Sequence, residues 1–337
     1  MSHHHHLAMA SLLATGCSVF DPALYLQRAD AGSDGGMMTP RLALSDRCGA
    51  PESPTVSNPG DYEVSTVGFE DNLRFLAACV GRELPGTDGF FRVQMAEGEL
   101  WHFHIRGVQG SDPALYVLPN CDERSCAVGI DECGEGRDEH LSFRAPATRT
   151  YLVGVDSRSP SQAVYALTVE HPVCGNDNLE HGETCDDGNV RPGDGCDERC
   201  RVELRDGSAE REPNDDYVTA NVVGAITAPV TAQGKLAAGC DFDTYAVTVP
   251  AGGSLRATML DVNGLACGAG SPALKMFLLL PDGRTVSREG APSGTSTCPS
   301  IASGAGLVAG TYFVRIAFAS DTSSALDYRL LFEVAPP

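Results

Sequence analysis

Thirteen cysteines in 337 residues constrain this chain more than any other feature. One is Cys17. The other twelve, Cys48, Cys79, Cys121, Cys126, Cys133, Cys174, Cys185, Cys196, Cys200, Cys240, Cys267 and Cys298, form an even set that suits disulfides made in an oxidising compartment. Cys174, Cys185, Cys196 and Cys200 crowd into fewer than thirty residues with almost no large apolar side chains. Such a segment cannot order itself around a core, so two disulfides must do it, each contributing about 2–4 kcal/mol by constraining the unfolded chain. Its four cysteines allow three pairings, and spacing alone does not choose among them. Five cysteines precede this segment and three follow it. Odd totals on both sides mean that one bridge joins the flanking segments or two thiols stay free, with Cys79 and Cys240 the least settled.

The flanking segments resemble each other. Asp88-Gly89-Phe90-Phe91-Arg92-Val93 aligns with Asp243-Thr244-Tyr245-Ala246-Val247, and Pro113-Ala114-Leu115 with Pro272-Ala273-Leu274. Thr150-Tyr151-Leu152-Val153 aligns with Thr311-Tyr312-Phe313-Val314, and Tyr165-Ala166-Leu167 with Tyr328-Arg329-Leu330. The offsets drift from 155 through 159 and 161 to 163, as loop insertions in a duplicated domain would make them. Each block is a run of β-branched and aromatic residues bounded by Gly, Pro, Asp or Ser. Trp101, Phe103 and Ile105 alternate with His102, His104 and Arg106, the period of a half-buried antiparallel strand. No stretch beyond the N-terminal apolar run keeps a helical period over three turns. The expected fold is all-β: two jelly-roll-like β-sandwiches joined by a small disulfide-rich knot.

Three resemblances refine this reading. Leu7 to Leu13 followed by Ala14-Thr15-Gly16-Cys17 resembles a bacterial lipobox, although Ala14 stands where Leu is usual and only His3 to His6 precede the apolar run. The resemblance implies a signal peptide over 1–17, lipidation of Cys17 and a membrane-anchored envelope protein at the outer membrane or cell surface. Residues 18–59, rich in Gly, Ser, Pro and Asp, read as a flexible tether. Cys-Asp-Asp-Gly-Asn (185–189) and Gly-Asp-Gly-Cys (193–196), within 172–203, resemble the myxobacterial-type cysteine-rich repeat. Glu212-Pro213-Asn214-Asp215, Asp241-Phe242-Asp243-Thr244-Tyr245 and Gly310-Thr311-Tyr312-Phe313-Val314 resemble the bacterial pre-peptidase C-terminal domain. That domain covers 208–337 and, in divergent form, 60–171.

The last resemblance implies a calcium site at the opening of the second sandwich, formed by Glu210, Glu212, Asn214, Asp215, Asp241 and Asp243. Their oxygens are the hard donors that this cation takes six to eight at a time. Against it stands a solvated acidic linker with an Asx turn at Asn214-Asp215. The first copy keeps only Asp88 of this set, so no site is expected there. In the knot, Asn176, Glu183, Asp186, Asp187, Asn189 and Asp194 offer oxygens too, but Asx turns account for the same residues without metal.

A formal charge of −21 argues against nucleic acid as a partner. His102 and His104 share a strand face and would form a zinc set if His140 joined them, but exposed outer-face histidines are the commoner case. No His-Glu-x-x-His, Gly-x-Ser-x-Gly or phosphate loop is present, so the expectation is a non-enzymatic module. Its expected role is adhesion to extracellular polysaccharide or protein. The alternatives are an accessory of a secreted protease system and a passive envelope spacer.

Overall fold

Short runs of β-branched and aromatic residues between Gly, Pro and Asp turns pair mostly antiparallel, and the pairing builds four sheets. The structure is a computed structural model that describes residues 39–73, 77–160, 162–268, 271–292, 296–319 and 324–337. The signal, Cys17 and the Gly-rich part of the tether lie outside the described residues. Among the described residues, no helix is long and apolar enough to cross a membrane.

The first sandwich has one sheet ordered β1 (Thr55–Val56), β3 (Gly89–Met95), β8 (Arg149–Ser157), β5 (Pro113–Leu118), β6 (Val128–Ile130). Its second sheet is β2 (Gly60–Ser65), β9 (Val164–Glu170), β4 (Leu100–Ile105), β7 (Glu139–Arg144). In the second sandwich the order is β10 (Asn221–Ala225), β12 (Phe242–Val249), β18 (Gly310–Phe318), β14 (Leu274–Leu279), β15 (Val286–Glu289). Facing it lie β11 (Val230–Leu236), β19 (Leu326–Ala335), β13 (Ser254–Leu260), β17 (Pro299–Ala302), β16 (Ala291–Pro292). Apart from β16, which has no counterpart in the first sandwich, the two orders agree, and each opens on a parallel pair, β1 with β3 and β10 with β12. One helical turn, α1 (Ala77–Val80), and a 3-10 turn, Glu123–Ser125, are the helical elements of the described residues.

Inward-facing side chains of the two sheets form one core per sandwich. Phe91, Phe103, Phe143 and Tyr151 centre the first, and Tyr245, Met276, Tyr328 and Phe332 the second. In the second sandwich Gly234 pairs across the ladder with Tyr328, and a Cβ on Gly234 would lie 2.2 Å from the Tyr328 ring. Only glycine fits beneath that ring.

All twelve described cysteines are bridged: Cys48–Cys121, Cys79–Cys126, Cys133–Cys240, Cys174–Cys200, Cys185–Cys196 and Cys267–Cys298. Of the two possibilities that parity left open, the structure takes the first, because Cys133–Cys240 ties one sandwich directly to the other. The knot's bridges are nested, the outer pair enclosing the inner. Six disulfides belong to a protein that matures outside the reducing cytosol.

Two expectations need correction. Residues 40–59, read as the end of a flexible tether, belong to the folded body. Leu42 and Leu44 are buried, Leu42 N–H donates to Glu63 O at 2.9 Å, and Ser45 exchanges backbone bonds with Phe90. Composition suggested a loop, but two apolar side chains in a short extended run find a sheet to dock on. The second correction concerns β4. It is not half-buried, since His102 and His104 are only 5% and 3% exposed. The knot lies over this outer face: Gly182, at φ +91°, brings its backbone so near that a Cβ would sit 3.4 Å from that of His102.

Candidate calcium centre and the inter-sandwich cleft

The segment 208–216 enters the second sandwich along its edge, with Glu210 N–H bonded to Gln233 O of β11 at 2.8 Å. That register points the Glu210 carboxylate at the start of β12, where Asp243 is fully buried. Ligand oxygens of Glu210, Glu212 and Asp243 all lie within 4.8 Å of one another. Asn214, also fully buried, donates its amide to Glu210 Oε2 at 3.2 Å and its N–H to Glu212 Oε2 at 2.9 Å. Asp215 and Asp241 form the rim. Asp215 Oδ1 accepts from Phe242 N–H at 3.4 Å, and Asp241 Oδ2 accepts from Ala237 N–H. Of the six residues assigned to calcium, four are therefore gathered and two stand beside them.

Sequence reasoning missed two members. Tyr245 of β12 and Tyr328 of β19 reach from opposite sheets until their hydroxyls are 2.8 Å apart. Tyr245 OH donates to Glu210 Oε2 and Tyr328 OH to Asp243 Oδ2. Both tyrosines lie in strands of the second sandwich, and both are buried in its core. Only the chain topology shows that their polar ends converge on the carboxylates.

The centre is rich in oxygen and poor in protons. Two hydroxyl protons serve two carboxylates, while Asp243 Oδ1 and Asn214 Oδ1 are buried with no hydrogen-bond partner. Burial first, and then the charges of Glu210, Glu212 and Asp241, push the Asp243 carboxyl well above the ordinary carboxylate range. Burial and its acidic neighbours raise Glu212 as well, although part of its surface meets solvent. Asp215 rises to about 7 through burial and Asp241, with Arg315 opposing. Buried lone pairs without partners cost free energy that a hard cation in their midst removes. The residues present fit calcium: all the donors are oxygen, several carry charge, and two are orphaned.

The knot behaves differently. Asp186 accepts backbone N–H bonds from Gly175, Asn176, Asp177 and Gly188 at 2.8–3.1 Å. Asn176 and Asn189 close Asx turns onto Asn178 and Arg191. Backbone amides thus occupy the oxygens of Asp186, Asn176 and Asn189, while Glu183 Oε1 is buried without a partner. Cys174 and Cys200 lie near Glu183 but are bonded to each other, which removes their thiolates as ligands.

Beside the candidate calcium centre, the outer face of the β12–β18–β14 sheet meets α1 and β6 of the first sandwich in a cleft of about 590 Å³. Tyr217, Phe277, Lys275 and Arg284 line one wall, and Val80 and Arg82 belong to the other. Arg315 crosses the seam: its guanidinium bonds Glu132 of the first sandwich through both terminal nitrogens and lies 4.0 Å from the Phe242 ring centre. With Cys133–Cys240 close by, this ion pair fixes how the two walls face.

No family model matches the chain. No curated protein matches it either. Among solved structures, the pre-peptidase C-terminal domain of a collagenase from Bacillus anthracis aligns at 17% identity over 37% of this chain and 99% of its own, with a TM-score of 0.25. A periplasmic inhibitor of g-type lysozyme from Aeromonas hydrophila aligns at 12% identity over 34% of this chain and 95% of its own, TM-score 0.24. The CUB1-EGF-CUB2 domains of rat MASP-1 align at 11% identity over 83% of this chain and 99% of their own, TM-score 0.21.

Proposed function

We propose that the chain is an exported, non-enzymatic binding module of the cell envelope. It attaches to a membrane through a lipid on Cys17 and binds an extracellular polysaccharide or protein. The observation that carries this reading is the cleft between the sandwiches. Its walls come from two separately folded sheets, its shape is fixed by a disulfide and an ion pair, and ligand sites gather at such domain junctions. Tyr217 and Phe277 give the wall its aromatic lining, with the Arg284 guanidinium 5.3 Å from the Tyr217 ring centre, and Lys275 and Arg284 offer charge to anchor sugar or peptide. In this reading calcium is structural. It neutralises the carboxylates of Glu210, Glu212 and Asp243 and stiffens the entry of the second sandwich beside the cleft.

Retention of the purified protein on immobilised polysaccharides, collagen and secreted proteases tests the proposal. Capture on a polysaccharide or matrix protein, lost in a Tyr217→Ala, Phe277→Ala double variant, is the expected result. Capture only by a protease, or capture indifferent to both substitutions, overturns it. Calcium is tested separately by melting with and without chelator. The melting temperature rises with calcium in the native chain and stays unchanged in Asp243→Asn, which keeps the side chain's shape.

A further inference from the structure

Beneath the knot, on the outer face of the β4–β7 sheet, four imidazoles are packed together. His104 and His140 stack with ring centres 4.1 Å apart, and the rings of His102 and His181 lie 6.2 Å apart. His102 Nε2 faces His140 Nδ1 at 3.4 Å. From the geometry we infer that His102 Nε2 and His140 Nδ1 clamp a borderline divalent transition ion, with zinc(II) the first candidate.

Zinc–imidazole bonds of about 2.0–2.1 Å at the tetrahedral angle separate two ligand nitrogens by about 3.3–3.4 Å, the spacing found here. Ser142 Oγ lies 3.0 Å from His102 Nδ1, and in the tautomer that donates Nδ1–H to it, Nε2 presents its lone pair to His140. Carboxylates hold the flanking rings, Asp138 on His104 at 2.9 Å and Glu170 on His181 at 2.7 Å. His140 opens onto a pocket of about 380 Å³ between the sandwiches, which gives an ion an entry path and leaves its remaining positions to water. Nitrogen donors favour zinc, copper or nickel over calcium, so this site and the oxygen centre of the second sandwich would sort ions by hardness.

Zinc titrated into the full chain by calorimetry tests the inference. His140 is exposed, so His140→Ala leaves the core intact. The native chain is expected to bind one zinc more than this variant, any binding by His3 to His6 being common to both. Should the variant fold poorly, carbethoxylation of His140 in the native chain, mapped by mass spectrometry, gives an independent reading: zinc suppresses it. Equal stoichiometry in a folded variant, or modification of His140 unaffected by zinc, overturns the site and leaves a simple hydrogen bond between the two rings.

Discussion

Asp88 and Asp243 occupy matching places at the starts of β3 and β12, and both are fully buried, yet their surroundings are opposite. Asp88 meets donors: Asn72 N–H at 3.0 Å, Leu73 N–H at 2.7 Å and the Asn72 amide at 3.3 Å. Asp243 meets acceptors, Glu210 and Glu212, and the hydroxyl of Tyr328. The first carboxylate is completed by the chain itself, whereas the second keeps Oδ1 buried without a partner. Matching strand orders thus hold a buried acid in both sandwiches, but the segment leading into the sheet supplies amides in one case and carboxylates in the other.

The largest test of this contrast is to uncouple the sandwiches. Cys133→Ser with Cys240→Ser opens a bridge spanning 107 residues, a loss of about 4–5 kcal/mol in the chain-entropy account. Calorimetry should then show two transitions in place of one, only the second moving with calcium. Next comes pH. Burial lifts Asp88 to about 6 from 3.8, against the pull of its donors. A carboxyl raised on folding contributes most below its unfolded value and loses that contribution as pH climbs to its folded value. Between pH 4 and 6 the first sandwich should therefore lose about 2 kcal/mol in urea melts, with or without calcium, and Asp88→Asn should flatten this fall. Calcium at 100 times its Kd should stabilise the second sandwich by about 2.7 kcal/mol, and none of that gain should survive Asp243→Asn. The smallest effect is steric. Gly234→Ala drives a methyl into the Tyr328 ring, costs about 1–3 kcal/mol, and weakens calcium binding by displacing the hydroxyl from Asp243. A calcium affinity unmoved by Gly234→Ala would break the link between that ring and the site.

Much of the architecture was legible in the chain. The drifting offsets between copies matched because turn residues and strand patterns repeat, and both sandwiches share one strand order. Cysteine parity posed the right alternative but did not identify Cys133 and Cys240, since a bridge across domains depends on how the domains face. The carboxylates of the second sandwich were visible as a motif, while nothing in the strands around Tyr245 and Tyr328 shows that their hydroxyls converge on them. Least legible was the burial of His102 and His104. A strand's period tells which side chains point outward, and it carries no word of the knot that covers His102 or of the Asp138 and His140 side chains that close on His104.

The bridge between Cys133 and Cys240 also decides how the molecule answers a pull. Tension entering at one end and leaving at the other crosses from sandwich to sandwich through two sulfur atoms, without passing along the chain that links them. The knot sits in that bypassed loop and is spared the load while the sulfur bond holds; cutting that bond would route the pull through it.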